Sequence, residues 1–311
     1  KDMINMKDNG SIIYILGKKV LNLLTTISPK FATKAIYYYH VRRKLNLKNP
    51  ITFDEKLNYL KLYVNVKNPL VTICADKVAV RDYVKEKGCE KILNEVIGIY
   101  DRVEDIEWKK LPNKFVIKCN HGCGFNIICK DKQQLDIEKC KKKLNKWLKI
   151  NYGKYTAEIH YIKIKPKIII EKFIESTSKT GLDDYRIFCY NGVPKYIKVT
   201  PEIEETAYYN FYDLNWNKMN FVKKEYESKY EIKKPKNLQK MLRYAEILSE
   251  NFPFVRVDLY NVDGKIYFAE LTFTPTGGCC NKFTKEGALA LGEDIILDKE
   301  SIWLRILPLI I

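Results

Sequence analysis

Residues 252–278, FPFVRVDLYNVDGKIYFAELTFTPTGG, decide the fold. They read as a β-hairpin, with two apolar runs flanking the turn signal Asp263-Gly264. Alternate strand residues share a face, so Arg256 goes with Asp258, and Glu270 with Thr272. A two-residue turn at Asp263-Gly264 would set Asp258 opposite Ala269 and send Glu270 to the other side. A three-residue loop, with Gly264 left-handed, pairs Asn261 with Lys265 and places Arg256 opposite Glu270. Asp258 is then the diagonal neighbour on the same face. The three-residue loop is the expected register.

Two carboxylates and an arginine on one face of an apolar hairpin have two readings. Unpaired buried charge is costly, so the first is a buried ion-pair network. The second is a magnesium site, because hard divalent cations take carboxylate oxygens and bridge to phosphates. Arg256 would then stabilise negative charge developing beside the metal.

The rest of the chain sets bounds. Its 311 residues are enough for two or three domains, and 46% hydrophobic residues with 22 tyrosines describe a folded protein. No apolar run reaches bilayer-spanning length, and the start lacks a signal-peptide pattern, so a cytoplasmic location is expected. The nine cysteines include no C-x-x-C pair, which points to buried, reduced thiols rather than zinc or disulfides. A formal charge of +17 implies an anionic partner: nucleic acid, acidic membrane surface or acidic glycan.

In order, residues 11–63 are helical in pattern. Ile12, Ile13, Leu16, Val20, Leu23 and Leu24 form an apolar stripe, expected to pack on the domain rather than rest on an anionic membrane. Thr52 and Glu55 form a capping box for a helix through Tyr63. Asp76-Lys77 opens another helix, and a lysine in a first turn opposes the macrodipole, so a role for Lys77 is considered. Residues 111–124, LPNKFVIKCNHGCG, read as a strand ending at Lys118 and a loop through His121, Gly122 and Gly124. Glycines let backbone amides approach phosphate, and Lys118 supplies a cation. The pattern is neither a Walker A loop nor G-x-G-x-x-G. Residues 135–150 make an amphipathic helix, 166–174 a buried strand holding Glu171, and 184–190 with 196–200 a hairpin around Asn191-Gly192.

This order of elements resembles the ATP-grasp superfamily, in its TupA-like, teichuronopeptide-biosynthesis branch. The resemblance rests on NPITFDEKL at 49–57, ADKVAVRDY at 75–83, LPNKFVIKCNHG at 111–122, DYRIFCYNG at 184–192 and ELTFTPTGG at 270–278. It implies an α+β ATP-grasp fold, two α+β subdomains clamping ATP after an N-terminal helical extension. The implied layout is an extension (1–60), a pre-grasp segment (61–112), a small lid subdomain (113–175), a large subdomain with the metal site (176–300) and an apolar tail (301–311). By the same resemblance, Lys77, Lys118 and the loop holding His121, Gly122 and Gly124 meet the phosphates. Glu171, Lys172 and Ile174 form the adenine hinge. Asp184, or Asp183 beside it, meets the ribose, and Lys198 is a further phosphate contact. Asp258 and Glu270 hold Mg2+, Arg256 steadies the acyl phosphate, and Thr276, Gly277 and Gly278 face the substrate. Thr272 stands where the family has Asn, which leaves its part in the metal shell open.

The implied reaction is carboxylate–amine ligation through an acyl phosphate, joining an amino acid or amine to a uronic-acid carboxylate in polysaccharide assembly. Its partner would be an acidic glycan, lipid-linked at the inner membrane face, and not nucleic acid. An ATP-grasp kinase acting on a sugar hydroxyl is the alternative. A glycosyltransferase is a further one, although the metal-binding D-x-D of many such enzymes occurs nowhere in the chain.

Overall fold

The computed structural model describes residues 12–176, 178, 181–203, 208–230 and 232–297. The tail at 301–311 lies outside them, as do residues 177, 179–180, 204–207 and 231.

Helix α1 (Ile12–Ile27) ends at Ser28, whose hydroxyl accepts from the Phe31 N–H and starts α2 (Pro29–Val41) with proline in its first turn. Of the expected α1 stripe, the side chains of Ile12 and Ile13 lie outside the described residues, and of the rest only Leu24 packs inward. Leu16, Val20 and Leu23 are exposed, while Leu21, Leu24 and Thr25 turn inward and Lys18 lies over the Tyr155 ring. The inward side wins because it meets Ala32, Ile36, Tyr37 and Ala157, a small satellite core.

Helix α3 (Phe53–Tyr59) begins at the expected capping box, with the Glu55 carboxylate accepting from the Thr52 N–H at 3.1 Å, and runs into a π-helical turn at Leu60–Val64. Helices α4 (Pro69–Ala75) and α5 (Val80–Glu86) follow. Lys77 is therefore not in a first helical turn. Asp76 accepts from the Val78 N–H at 2.8 Å and holds residues 77–79 as the corner between the helices.

Strands β1 (Val96–Tyr100), β2 (Phe115–Cys119), β3 (Asn126–Cys129) and β4 (Ile168–Lys172) form an antiparallel sheet in the order β1-β4-β2-β3. One face buries Phe115, Ile117, Ile168 and Ile170 against Leu144 of α6 (Ile137–Leu148) and Tyr152 and Tyr155 of α7 (Tyr152–Thr156). The other face carries Val116, Lys118 and Glu171.

Strands β5 (Asp184–Tyr190), β6 (Val193–Thr200), β7 (Asn210–Tyr212), β8 (Lys218–Met219), β9 (Phe254–Val262) and β10 (Lys265–Thr272) form the second sheet, ordered β10-β9-β5-β6-β7-β8. Val255, Val257, Leu259, Ile187 and Ile197 pack on Met241, Ala245 and Leu248 of α8 (Leu238–Ser249). Each such fully buried branched side chain contributes about 1.5–3 kcal/mol. The opposite face is aromatic at one end, with Phe53 of α3 wedged at 5.2 Å from Phe254 and 5.7 Å from Phe188. Its other end is charged. Helix α9 (Lys285–Glu293) closes the aromatic end through Leu291.

The decisive hairpin differs from expectation at its turn. Asp263 and Gly264 both have positive φ, 50° and 82°, in a two-residue turn that pairs Val262 with Lys265. The register then shifts at Ala269, so Glu270 faces Asp258 and Thr272 faces Arg256. A β-bulge, not a longer loop, brings Glu270 to the face of Asp258. No described helix is long and apolar enough to cross a membrane.

Candidate active site

Register alone aligns a row of charge across four strands: Glu270, Asp258, Arg186 and Lys198 are successive partners on β10, β9, β5 and β6. Arg256 lies one step along. Its Nε donates to Asp258 Oδ1 at 2.7 Å, and its Nη2 donates to Oδ2 at 2.6 Å and to Thr272 Oγ1 at 3.1 Å. Such a bidentate pair is directional and strong. The Thr272 hydroxyl donates to Glu270 Oε1 at 2.9 Å, and Arg186 bonds Asp184 at 2.8 Å and approaches Asp258 at 3.8 Å.

The two carboxylates differ in their surroundings. Burial pushes Asp258 up to about 6, against the opposing pull of Arg256, with Asp184 and Glu270 adding to the rise. Burial acts on Glu270 in the same sense, but Lys77, Arg256, Thr272 and Arg186 together outweigh it and hold Glu270 at about 2. A third of the Glu270 side chain remains open to solvent. Glu270 is thus an accessible anion beside a buried one.

Lys77 connects this pair to the glycine loop. Its Nζ donates to the Gly122 carbonyl at 2.8 Å and stands 3.8 Å from Glu270 Oε2. Gly122 is required by close approach, since a Cβ there would meet the Tyr152 ring at 2.7 Å, whereas Gly124 uses its freedom at φ 78°. His121 does not join the site. Its ring is buried against Phe125, with Nε2 3.2 Å from the Trp147 carbonyl oxygen, so it fixes the loop to α6.

A cavity of about 390 Å³ opens between the two sheets, lined by Val116, Lys118, Glu171, Ile174, Leu182 and Tyr260. Lys118 Nζ bonds Glu171 at 2.6 Å, and Arg81 reaches the other Glu171 oxygen at 3.3 Å. Lys172 lines the cavity too, but its N–H is donated to the Glu95 carbonyl and is not presented to a ligand. Asp184 is tied to Arg186 at the start of β5, and Lys198 Nζ sits 3.4 Å above the Tyr209 ring.

Thr276, Gly277 and Gly278 are consecutive left-handed residues, at φ 53°, 61° and 73°. The loop is seated on α3 and the turn after it. Asn58 Nδ2 donates to the Gly278 carbonyl at 2.7 Å, Asp54 accepts from the Cys280 N–H at 3.0 Å, and Lys61 approaches the Gly277 carbonyl at 3.4 Å. Below it Thr274 bonds the buried Glu158. Burial lowers the Lys61 ammonium and raises the Glu158 carboxyl, each opposing the other's shift.

Arg186, Arg81, Asp54, Asn58, Lys61 and Glu158 were not among the expected site residues. Arg186 carried a signal, being in step with Asp184 on a strand otherwise apolar. The others act across 90 residues or more, which no local pattern displays.

Two carboxylates and the Thr272 hydroxyl are hard oxygen donors. No cluster of three or more metal-binding His, Cys, Asp or Glu exists among the described residues. With two carboxylates, Mg2+ would keep waters and share substrate phosphates rather than be caged by protein.

A family model described as TupA-like ATP-grasp matches residues 55–296. Among solved structures, D-alanine–D-alanine ligase from Bacillus anthracis complexed with ATP is 17% identical, covering 75% of this chain and 67% of that one, with a TM-score of 0.47. The Helicobacter pylori D-alanine–D-alanine ligase gives 15%, 78%, 68% and 0.42. The L-amino acid ligase from Bacillus licheniformis gives 15%, 65%, 43% and 0.40. No curated protein matches.

Proposed function

The chain belongs to the TupA-like ATP-grasp family, and on that premise we propose that it is an ATP-dependent carboxylate–amine ligase acting through an acyl phosphate. The observation that carries the reading is Glu270 beside Asp258, with Arg256, Lys77 and Lys118 arranged from that pair to the inter-sheet cavity.

In this reading ATP occupies the cavity, its base toward Ile174 and its phosphates toward Lys118, Lys77 and the Gly122–Gly124 loop. Asp258 and Glu270 hold Mg2+, which when bound neutralises charge on the phosphates. A substrate carboxylate oxygen attacks the γ-phosphorus and ADP leaves. The amine nitrogen then attacks the acyl carbon, phosphate departs and the amide forms. Positioning and charge neutralisation dominate such transfers. Arg256, buried and held in a fixed plane by Asp258 and Thr272, is preorganised toward the anionic intermediates. The excess positive charge favours an acidic donor, so we infer a uronic-acid glycan as the carboxylate and an amino acid or amine as its partner.

The test is ADP release from magnesium ATP with uronic-acid glycan, with and without amines, by wild type, Asp258→Asn and Glu270→Gln. Turnover that needs both substrates and is lost in both variants is expected. A stable phosphorylated sugar formed without amine would instead make the protein a kinase. Turnover of free amino acids but never of glycan would remove the glycan assignment.

A further inference from the structure

We propose that α1 and α2 form a docking surface for an anionic lipid bilayer. The proposal does not depend on the ligase chemistry and is read without substrate.

Its first support is the outward stripe. Leu16, Val20, Leu23 and Ile27 are all exposed, Leu23 at 62% and Ile27 at 71%. At roughly 100° per residue these four positions fall within an arc of about 60°. The opposite side of the helix carries Lys18, Leu21 and Thr25 against Tyr155 and the satellite core. On α2, Phe31 near its start and Tyr38 and Tyr39 further along are exposed as well. A continuous apolar strip on a helix already packed by its other side calls for an apolar partner.

The second support is charge. Residues 12–48 hold eight cations (Lys18, Lys19, Lys30, Lys34, Arg42, Arg43, Lys44 and Lys48) and no Asp or Glu. Lys19 of α1 and Lys30 and Lys34 of α2 are exposed. Exposed lysines and aromatic residues together with an apolar face match a surface that sinks into acyl chains while its cations meet lipid phosphates. A second copy of the chain fits less well, because a two-fold contact would set two acid-free cationic faces against each other.

The experiment is flotation of the full chain with vesicles of phosphatidylcholine alone or mixed with phosphatidylglycerol. Wild type is expected to float with the anionic vesicles only, and to be released by salt. Leu23→Glu with Ile27→Glu, and separately Lys30→Glu with Lys34→Glu, should each lower partitioning on the order of tenfold or more. Their circular dichroism should be unchanged, since these side chains are exposed. Failure to bind anionic vesicles, equal binding to neutral ones, or variants that bind like wild type would overturn the proposal. Light scattering that shows a dimer lost in Leu23→Glu with Ile27→Glu would give the face to a second copy instead.

Discussion

Glu270 stands directly opposite Asp258 because the strand between the turn and the site contains one residue more than its partner. The same pairing puts Thr272 opposite Arg256, and the hydroxyl joins the guanidinium to Glu270. The two acids therefore have unequal structural duties. Asp258 neutralises a buried arginine, while Glu270 is partly open and satisfied several times over.

That inequality predicts different phenotypes. Asp258→Asn should remove a buried partner of Arg256 and cost about 3 kcal/mol or more in urea denaturation. Glu270→Gln should cost less, about 1–2 kcal/mol, because a third of its side chain stays in solvent although its charge is well satisfied. Both should lower turnover on the order of a hundredfold or more, because each removes a proposed metal oxygen. Equal stability losses would contradict the division of roles.

Lys118 can be tested apart from the metal pair. Lys118→Met should raise the KM for ATP on the order of tenfold or more, since a phosphate cation is lost. Stability should hardly change, because Arg81 still pairs Glu171. An unchanged KM would place Lys118 outside the nucleotide site.

Gly278→Ala probes the substrate loop. Residue 278 has φ 73°, and a Cβ would meet Asn58 Nδ2 at 2.7 Å. The substitution should cost about 1–3 kcal/mol and shift the loop. Steady-state kinetics should show the KM for the amine rising more than the KM for ATP. Equal rises would place the loop elsewhere in the reaction.

His160 sets a pH dependence. It is buried, neither ring nitrogen has a hydrogen-bond partner among the described residues, and burial with the nearby Lys61 charge lowers it to about 3. An imidazole depressed below its unfolded value near 6.5 stabilises the fold above that value, and the contribution shrinks as pH falls toward 3. Between pH 7 and 5 this group alone should remove about 2 kcal/mol. Buried Asp54, raised to about 7, works in the opposite sense. The comparison is therefore wild type against His160→Leu in urea at both pH values. The variant should lose less stability on acidification.

The elements around the cleft were legible because their signals are local: the strand ending at Lys118, Asn191-Gly192, and the alternation that aligns Arg256 with Asp258. The Asp263-Gly264 turn was legible too, and the expected longer loop set aside the stronger local signal. What sequence could not display was the bulge at Ala269. An inserted residue leaves no composition mark, and only the packing of both strands fixes its place. For α1, periodicity reveals two unlike faces but not which one finds neighbours. The cradle of Asp54, Asn58 and Lys61 under residues 277–280 depends on a fold that brings distant segments together.

Eight of the nine thiols are buried, and the exposed one is Cys123, between Gly122 and Gly124. Maleimide chemistry needs an accessible thiolate, so the folded chain offers a single labelling position on the loop expected to cover the phosphates. A fluorophore attached there would serve as a built-in optical gauge of loop closure, requiring no engineered cysteine and no removal of the other eight.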